Sequence, residues 1–290
     1  MKFKMKISDR IRMVIPRKLF HIYLYNKHHR PWIFSFKKLA TYDEITHYLS
    51  ATYYDEAFGK FADKYEVRFY VSKCGYKHLL VPIYGVWNNP DDICFEELPE
   101  DYVLKTTHGS GEQFYVIKHN YDAIDERKVI EKLKHAMTIN FATFAAQYHY
   151  AGISPRIIAE KLLVDSCNEM LDDYKVVCSY GKAKAILVCS KRNEGRDYYS
   201  TDWKYLEFVK EEYRSKNKAA KPTHLDDMIK AAEVLSRPFP LARVDFYIVE
   251  GKLYFGEITL TPSAGDTQYL NRYGQEKIAE MIGVNNLVHI

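Results

Sequence analysis

Cysteine is sparse and unpatterned. Five residues in 290 (Cys74, Cys94, Cys167, Cys178 and Cys189) are odd in number, widely spaced and without a Cys-x-x-Cys pair. That excludes a disulfide framework and a zinc site of the usual spacing, and fits reduced thiols in a cytoplasmic protein. Long hydrophobic runs are missing as well. No stretch approaches the roughly 20 apolar residues that span a bilayer. In residues 1–30, Arg10, Arg12, Arg17 and Lys18 interrupt the apolar core that a secretory signal requires. Two widespread phosphate signatures are absent too: there is no Walker-A Gly-Lys-Ser/Thr and no Gly-x-Gly-x-x-Gly before a helix. The sequence has no internal repeat and no low-complexity tract, and its net charge of +4 is too mild to demand nucleic acid.

What is present is globular in character. Hydrophobic residues make up 47% and charged residues 28%, ordinary for a soluble fold, and the length suits one large domain or two to three subdomains. The 25 tyrosines admit stacking on sugars or bases, but half-buried packing is their commoner use and the preferred reading. Residues 1–30 carry nine Lys/Arg against one acid, Asp9. They read either as a segment touching an anionic membrane or polymer, or, by preference, as a packed arm with a solvated basic face.

The most informative stretch lies near the C-terminus. Residues 242–249 and 253–260 read as two strands joined by Glu250-Gly251, a polar pair suited to a tight hairpin turn. Asp245 and Glu257 fall on opposite arms, in apolar, β-branched and aromatic surroundings. Taken alone, acids in a hairpin are more often solvent-facing residues that blunt an edge strand. On one face, however, they would hold a hard divalent cation, and Mg²⁺ takes few protein carboxylates and fills its shell from water and phosphate. Thr259 and the turn-rich run Thr261-Pro262-Ser263-Ala264-Gly265 follow, with hydroxyls and amides suited to a substrate carboxylate.

Earlier in the chain, residues 54–71 place Phe58, Phe61, Ala62 and Tyr65 at helical spacing, after a helix that Asp43 would cap. Lys64 and Arg68 stand one turn apart and could face a common anion, though surface spacing produces such pairs by chance. Residues 78–87 read as a strand, with Pro82 marking an edge or bend. Residues 102–105 read as the next strand and residues 113–118 as its return. Between them, Thr106-Thr107-His108-Gly109-Ser110-Gly111 makes a flap in which glycines let backbone N–H groups approach a phosphate while Lys105 adds a point charge. A lone Gly-x-Gly is more often a plain turn. Residues 122–149 read as a helix through Ile124, Val129, Leu133, Met137, Phe141 and Phe144. Residues 156–164 read as a buried strand, and residues 172–177 as a strand pairing with 183–190 across Gly181-Lys182. Residues 192–222 read as a loop with a helical piece, residues 225–236 as a helix capped near Thr223, and residues 275–281 as a last helix.

Arg-Val-Asp at 243–245, Gly-Glu-Ile-Thr at 256–259 and Thr-Pro-Ser-Ala-Gly at 261–265 together resemble the C-terminal metal site of the ATP-grasp superfamily. Ala-Asp-Lys-Tyr-Glu-Val-Arg at 62–68, Val-Leu-Lys-x-x-His-Gly-Ser-Gly at 103–111 and Asp-Tyr-Lys at 173–175 are similar, in family order, to its TupA-like branch, associated with teichuronopeptide and surface-polysaccharide biosynthesis. The resemblance implies an α+β ATP-grasp fold with two lobes clasping ATP. These would be residues 76–161 with the phosphate flap and residues 162–290 with the metal and substrate site, behind a reduced, mostly helical N-terminal region at 1–75.

It further implies a site. Lys105, His108, Gly109, Ser110 and Gly111 would meet the phosphates, and Glu160, Lys161, Leu162 and Leu163 would form the hinge that reads adenine. Lys175 would be a second cation, with Asp173 on the ribose or orienting it. Asp245, Glu257 and Thr259 would bind Mg²⁺, Thr259 standing where many relatives have Asn. Arg243, Lys105 and His108 would be catalytic, and Thr261, Ser263 and Gly265 would hold substrate. The implied reaction joins a carboxylate to an amine through an acylphosphate with release of ADP, the partners being an amino acid and a uronic-acid unit of a capsule or surface polysaccharide, with no nucleic acid. Two rivals stay open: a carbohydrate kinase or glycosyltransferase-like enzyme, although no persuasive Asp-x-Asp loop is present, and a non-catalytic basic polysaccharide-binding protein.

Overall fold

The computed structural model describes residues 15–28, 34, 36, 38–119, 123–140, 142, 146–164, 171–190 and 193–283. The expectations placed on residues 1–14 and on Phe141, Phe144 and Cys167 lie outside them.

Short apolar runs separated by polar turns pair here into two antiparallel sheets. The first is four-stranded, in the order β1-β4-β2-β3, from β1 (Ile83–Trp87), β2 (Tyr102–Thr106), β3 (Tyr115–Lys118) and β4 (Ile157–Lys161). The second is six-stranded, in the order β10-β9-β5-β6-β7-β8, from β5 (Asp173–Ser179), β6 (Lys182–Ser190), β7 (Gly195–Tyr199), β8 (Tyr205–Leu206), β9 (Ala242–Val249) and β10 (Lys252–Thr259). Around them lie α1 (Arg17–His28), α2 (Tyr42–Thr52), α3 (Gly59–Ala62), α4 (Val67–Lys73), α5 (Glu126–Met137), α6 (Leu225–Leu235) and α7 (Arg272–Ile282). The class is α+β. No helix among the described residues is long and apolar enough to cross a membrane.

Strand alternation decides what each sheet offers its surroundings. In the smaller sheet, Tyr102 and Leu104 of β2 and Ile157 and Ala159 of β4 pack with Val129 and Leu133 of α5 in a small core. The opposite face is left to Lys105 and Glu160. In the larger sheet, Val176, Ile186, Val244 and Phe246 share a core with Met228 and Leu235 of α6 and Ile278 of α7.

Several elements differ from the sequence expectation. The helix at 54–71 is broken into a turn at Glu56–Phe58, then α3 and α4. Asp63 leaves helical geometry at ψ 122, and its carboxylate accepts the N–H groups of Tyr65 and Glu66, each at 2.8 Å, a local bond that competes with the helix. The strand at 78–87 begins only at Ile83, after a 3₁₀ turn at Lys77–Leu79, and β1 lies on the sheet edge that Pro82 suggested. Within 122–149, α5 ends at Met137 and a separate 3₁₀ turn lies at Tyr148–Gly152, with residues 141 and 143–145 between them outside the described residues. Residues 192–222 hold β7 and β8, which extend the larger sheet. The β5–β6 turn sits at Tyr180-Gly181, both at positive φ, and the residue before α6 is His224, which makes no side-chain cap.

Asp43 has a different task from the one expected. Thr41 caps α2, accepting from the Glu44 N–H at 3.2 Å while Glu44 accepts from the Thr41 N–H at 3.0 Å, a complete capping box. Asp43 is buried. Its carboxylate accepts from the Thr267 hydroxyl at 2.8 Å and the Gln275 amide at 2.5 Å, tying α2 to the loop after β10 and to α7. Burial pushes its pKa from 3.8 up to about 7, against the pull of Thr267 and Gln275. The folded state therefore binds more protons than the unfolded chain between about pH 4 and 7, so this group's contribution is full below pH 4 and is lost as pH rises through 7. Compared with wild type, Asp43→Asn is expected to lack this decline, a difference of about 4 kcal/mol across the window. Urea unfolding of both proteins at several pH values measures it, and parallel profiles would refute it.

Candidate nucleotide and metal site

One inserted residue aims the central carboxylate. Along β10, Phe255 pairs with Phe246, then the register shifts and Glu257, rather than Gly256, pairs with Asp245. Such a bulge sends the following side chain to the other face of the sheet. Without it Glu257 would point toward the core with Val244. With it, Glu257 shares a face with Asp245, and because β5 pairs Lys175 with Asp245, the three stand in one row across β10, β9 and β5.

The row is tightly charged. Asp245 is buried, at 2% side-chain exposure, and accepts from Arg243 Nε and Nη2 and from Lys175 Nζ, each at 2.7 Å. Burial would raise its pKa, but Arg243 and Lys175 outweigh burial and hold it below the usual value. Burial acts against the charge of Lys175 and Arg243 as well, yet Asp245 keeps both raised. Glu257 is 39% exposed. Its Oε1 accepts from Arg243 Nη2 at 3.3 Å and from the Thr259 hydroxyl at 2.8 Å, and Lys175 also lies 3.3 Å from Asp173.

The smaller sheet supplies the facing wall. Lys105 of β2 and Glu160 of β4 pair at 2.7 Å, and Arg68 reaches the same carboxylate at 3.4 Å while donating to the Val81 carbonyl at 2.7 Å. In the flap, Gly109 is sterically required: a Cβ there would lie 2.1 Å from the Phe114 ring. Between the walls is a cavity of about 550 Å³, lined with apolar groups at Val81, Val103, Leu163 and Phe255 and with charge at Lys105 and Glu257, of the size and mixed character of small-molecule sites.

The expected residues divide into three groups. Lys105, Gly109, Ser110, Gly111, Glu160, Lys161, Leu162, Leu163, Asp173, Lys175, Asp245 and Glu257 all line this cavity. Arg243 and Thr259 are joined to it through the carboxylates of Asp245 and Glu257. The others lie apart. His108 is buried and turned toward the α5 side, its Nε2–H donating to the Ile139 carbonyl at 3.2 Å and its ring edge-on to Phe114; burial lowers its pKa. Thr261 is buried and accepts from the Gln147 amide at 2.5 Å. Ser263 and Ala264 hold φ of 50 and 54, and Gly265 of 80, uncommon geometry for the first two.

Lys64 is the main addition. Tertiary packing brings it to the cavity, where its ammonium donates to the Gly109 carbonyl of the flap and its backbone N–H to the Thr107 carbonyl at 3.0 Å. Burial lowers its pKa against the opposing pull of Glu257. Its spacing from Arg68 was the available signal, and that spacing is common.

The donors suit a hard cation. Among the described residues no group of three or more His, Cys, Asp or Glu is placed to hold a metal. Two carboxylate neighbours with lone pairs to spare are what Mg²⁺ uses when phosphate and water complete its shell.

A family model described as TupA-like ATPgrasp matches residues 26–283. Among solved structures, the chain is similar to D-alanine–D-alanine ligase from Bacillus anthracis, with a TM-score of 0.48 and 18% identity over 83% of this chain and 69% of that one. It is similar to an L-amino acid ligase from Bacillus licheniformis, with a TM-score of 0.44 and 16% identity over 74% and 46%. The ADP complex of N5-carboxyaminoimidazole ribonucleotide synthetase gives a TM-score of 0.43 and 16% identity over 71% and 46%. The chain thus spans about half the length of the last two. No curated protein matches the sequence.

Proposed function

Because the chain belongs to the TupA-like ATP-grasp family, we propose that it is an ATP- and Mg²⁺-dependent carboxylate–amine ligase. The observation that carries this reading is the convergence of Lys64, Lys105, Lys175, Asp245 and Glu257 on one cavity. In this reading the γ-phosphate passes to a substrate carboxylate, giving an acylphosphate and ADP, and an amine then displaces phosphate to form the amide. Phosphoryl transfer asks a protein mainly for positioning and charge neutralisation, which these side chains offer.

Lys105, Lys64 and the flap amides hold phosphate oxygens, while the backbone after Glu160 and the apolar walls receive the base. Asp245 and Glu257 would hold Mg²⁺, which would neutralise phosphate charge. Arg243, fixed by Asp245, faces the developing acylphosphate. The substrates in this reading are an amino acid and a uronic-acid unit of a surface polysaccharide, and the enzyme works in the cytoplasm.

The test is thermal melting with a non-hydrolysable ATP analogue and Mg²⁺, together and singly. Ligand at a hundredfold excess over Kd adds about 2.7 kcal/mol, a shift of several degrees. The reading expects the full shift to need both components. No shift with either or both would overturn it.

A further inference from the structure

The face of the larger sheet that carries Asp245 continues past the nucleotide cavity. Following the register, Asp173 of β5 pairs with Cys189 of β6, and Cys189 with Arg196 of β7. Residues directly opposite in antiparallel strands share a face, so Arg196 stands on the face of Asp173 and Lys175, two strands away, roughly 10 Å along the sheet. Its guanidinium lies 4.6 Å from the centre of the Tyr269 ring. That ring is itself fixed, since Tyr269 is buried and its carbonyl accepts the Lys210 N–H at 2.9 Å.

Arg196 differs from the other partly buried arginines of this region. Arg243 is committed to Asp245 and Glu257, Arg68 to Glu160, and Arg156 to Asp63 and Glu66. Among the described residues the Arg196 side chain has no carboxylate partner and makes no hydrogen bond; its guanidinium lies over the Tyr269 ring, and its cross-strand neighbour on this face is Cys189. A guanidinium stacked on a ring keeps its N–H edge open for a planar, bidentate anion. An anion there would meet a cation held in place but not neutralised.

We propose that Arg196 is a specificity-determining residue that receives a second anionic group, a carboxylate or a phosphate, on the substrate whose first carboxylate reacts beside Arg243. The substrate class is then a dianion with its acidic groups several bonds apart. This rests on the ligase reading and deepens it.

The experiment uses the full chain loaded with non-hydrolysable ATP analogue and Mg²⁺, so that the phosphate end is filled. Glucuronate, glucarate and glucuronic acid 1-phosphate are titrated as probes, with melting temperature as the readout. Glucarate and the 1-phosphate separate a second carboxylate from a phosphate, and glucuronate reports the single acid. In wild type at least one dianion should bind more tightly than glucuronate. In Arg196→Gln that preference should fall by on the order of tenfold or more, and Arg196→Lys, which keeps the charge and loses the fork, should recover part of it. The nucleotide shift should be the same in all three proteins. A merely structural role would lower the melting temperature without ligand and leave the preference intact, which would overturn the proposal. So would a wild type that binds nucleotide and neither dianion. Loss of the nucleotide shift itself would bring down the ligase reading and this proposal with it.

Discussion

Replacing Asp245 with Ala is expected to lower the melting temperature by roughly 6–15 °C, before any ligand is added. The buried carboxylate accepts three charged hydrogen bonds at 2.7 Å from Arg243 and Lys175. Removing it leaves two largely buried cations facing each other. Arg243 would retain Glu257 at 3.3 Å, and Lys175 would retain Asp173 at 3.3 Å, contacts longer than those lost. Breaking a buried pair by deleting one partner costs about 3–5 kcal/mol, because the remaining charge stays desolvated. The second substitution in a cycle gives the sharper test: adding Lys175→Met to Asp245→Ala should recover part of the loss, since one orphaned charge is removed. A single mutant that melts within about 2 °C of wild type would show that the cluster is solvated and its charges weakly coupled. Because the folded pKa of Asp245 is depressed, its stabilisation is present above the unfolded carboxylate range and is lost as pH falls through the folded value.

What the sequence made legible follows from which signals are local. Strands β9 and β10 and the turn at Glu250-Gly251 could be read directly, because apolar alternation and a two-residue polar turn need no distant partner. The same holds for Lys105 at the end of β2, where strand and flap adjoin. Tertiary context decided the rest. The bulge at Gly256 leaves no mark in a Gly-Glu-Ile-Thr string, yet it alone puts Glu257 on the face of Asp245. Strands β7 and β8 are short, β7 carries the charges of Arg196 and Asp197, and they become strands by pairing in turn onto β6. Asp63 stops a helix that side-chain spacing alone would continue. His108 adjoins two flap glycines in sequence but is anchored to Ile139 on the other side of the sheet. Arg196 carries no sequence signal, because its interest lies in the acid it does not pair with.

Glu257→Gln should separate function from stability where Asp245→Ala joins them. Glu257 is partly exposed and accepts from Arg243 and Thr259 through Oε1 alone, and a glutamine in the same rotamer keeps that oxygen and the volume. Partly exposed pairs contribute about 0–1 kcal/mol, so the melting temperature without ligand should move by no more than about 2–3 °C. The charge is what changes. A hard divalent cation between the two strands would face one carboxylate and one neutral amide, and Mg²⁺ binds amide oxygen poorly beside carboxylate when its protein ligands are few. In the ligase reading, the expected result is loss of the Mg²⁺-dependent part of the nucleotide shift with the nucleotide-only part retained, and ADP release lowered by about 10³, the scale of removing one electrostatic element from a preorganised site. Side-by-side melting curves with analogue alone and with analogue plus Mg²⁺ read the first, and a coupled ADP assay reads the second. If the metal increment survived in Glu257→Gln, the cation would have to be held without Glu257, and the bulge at Gly256 would be aiming that carboxylate at something else.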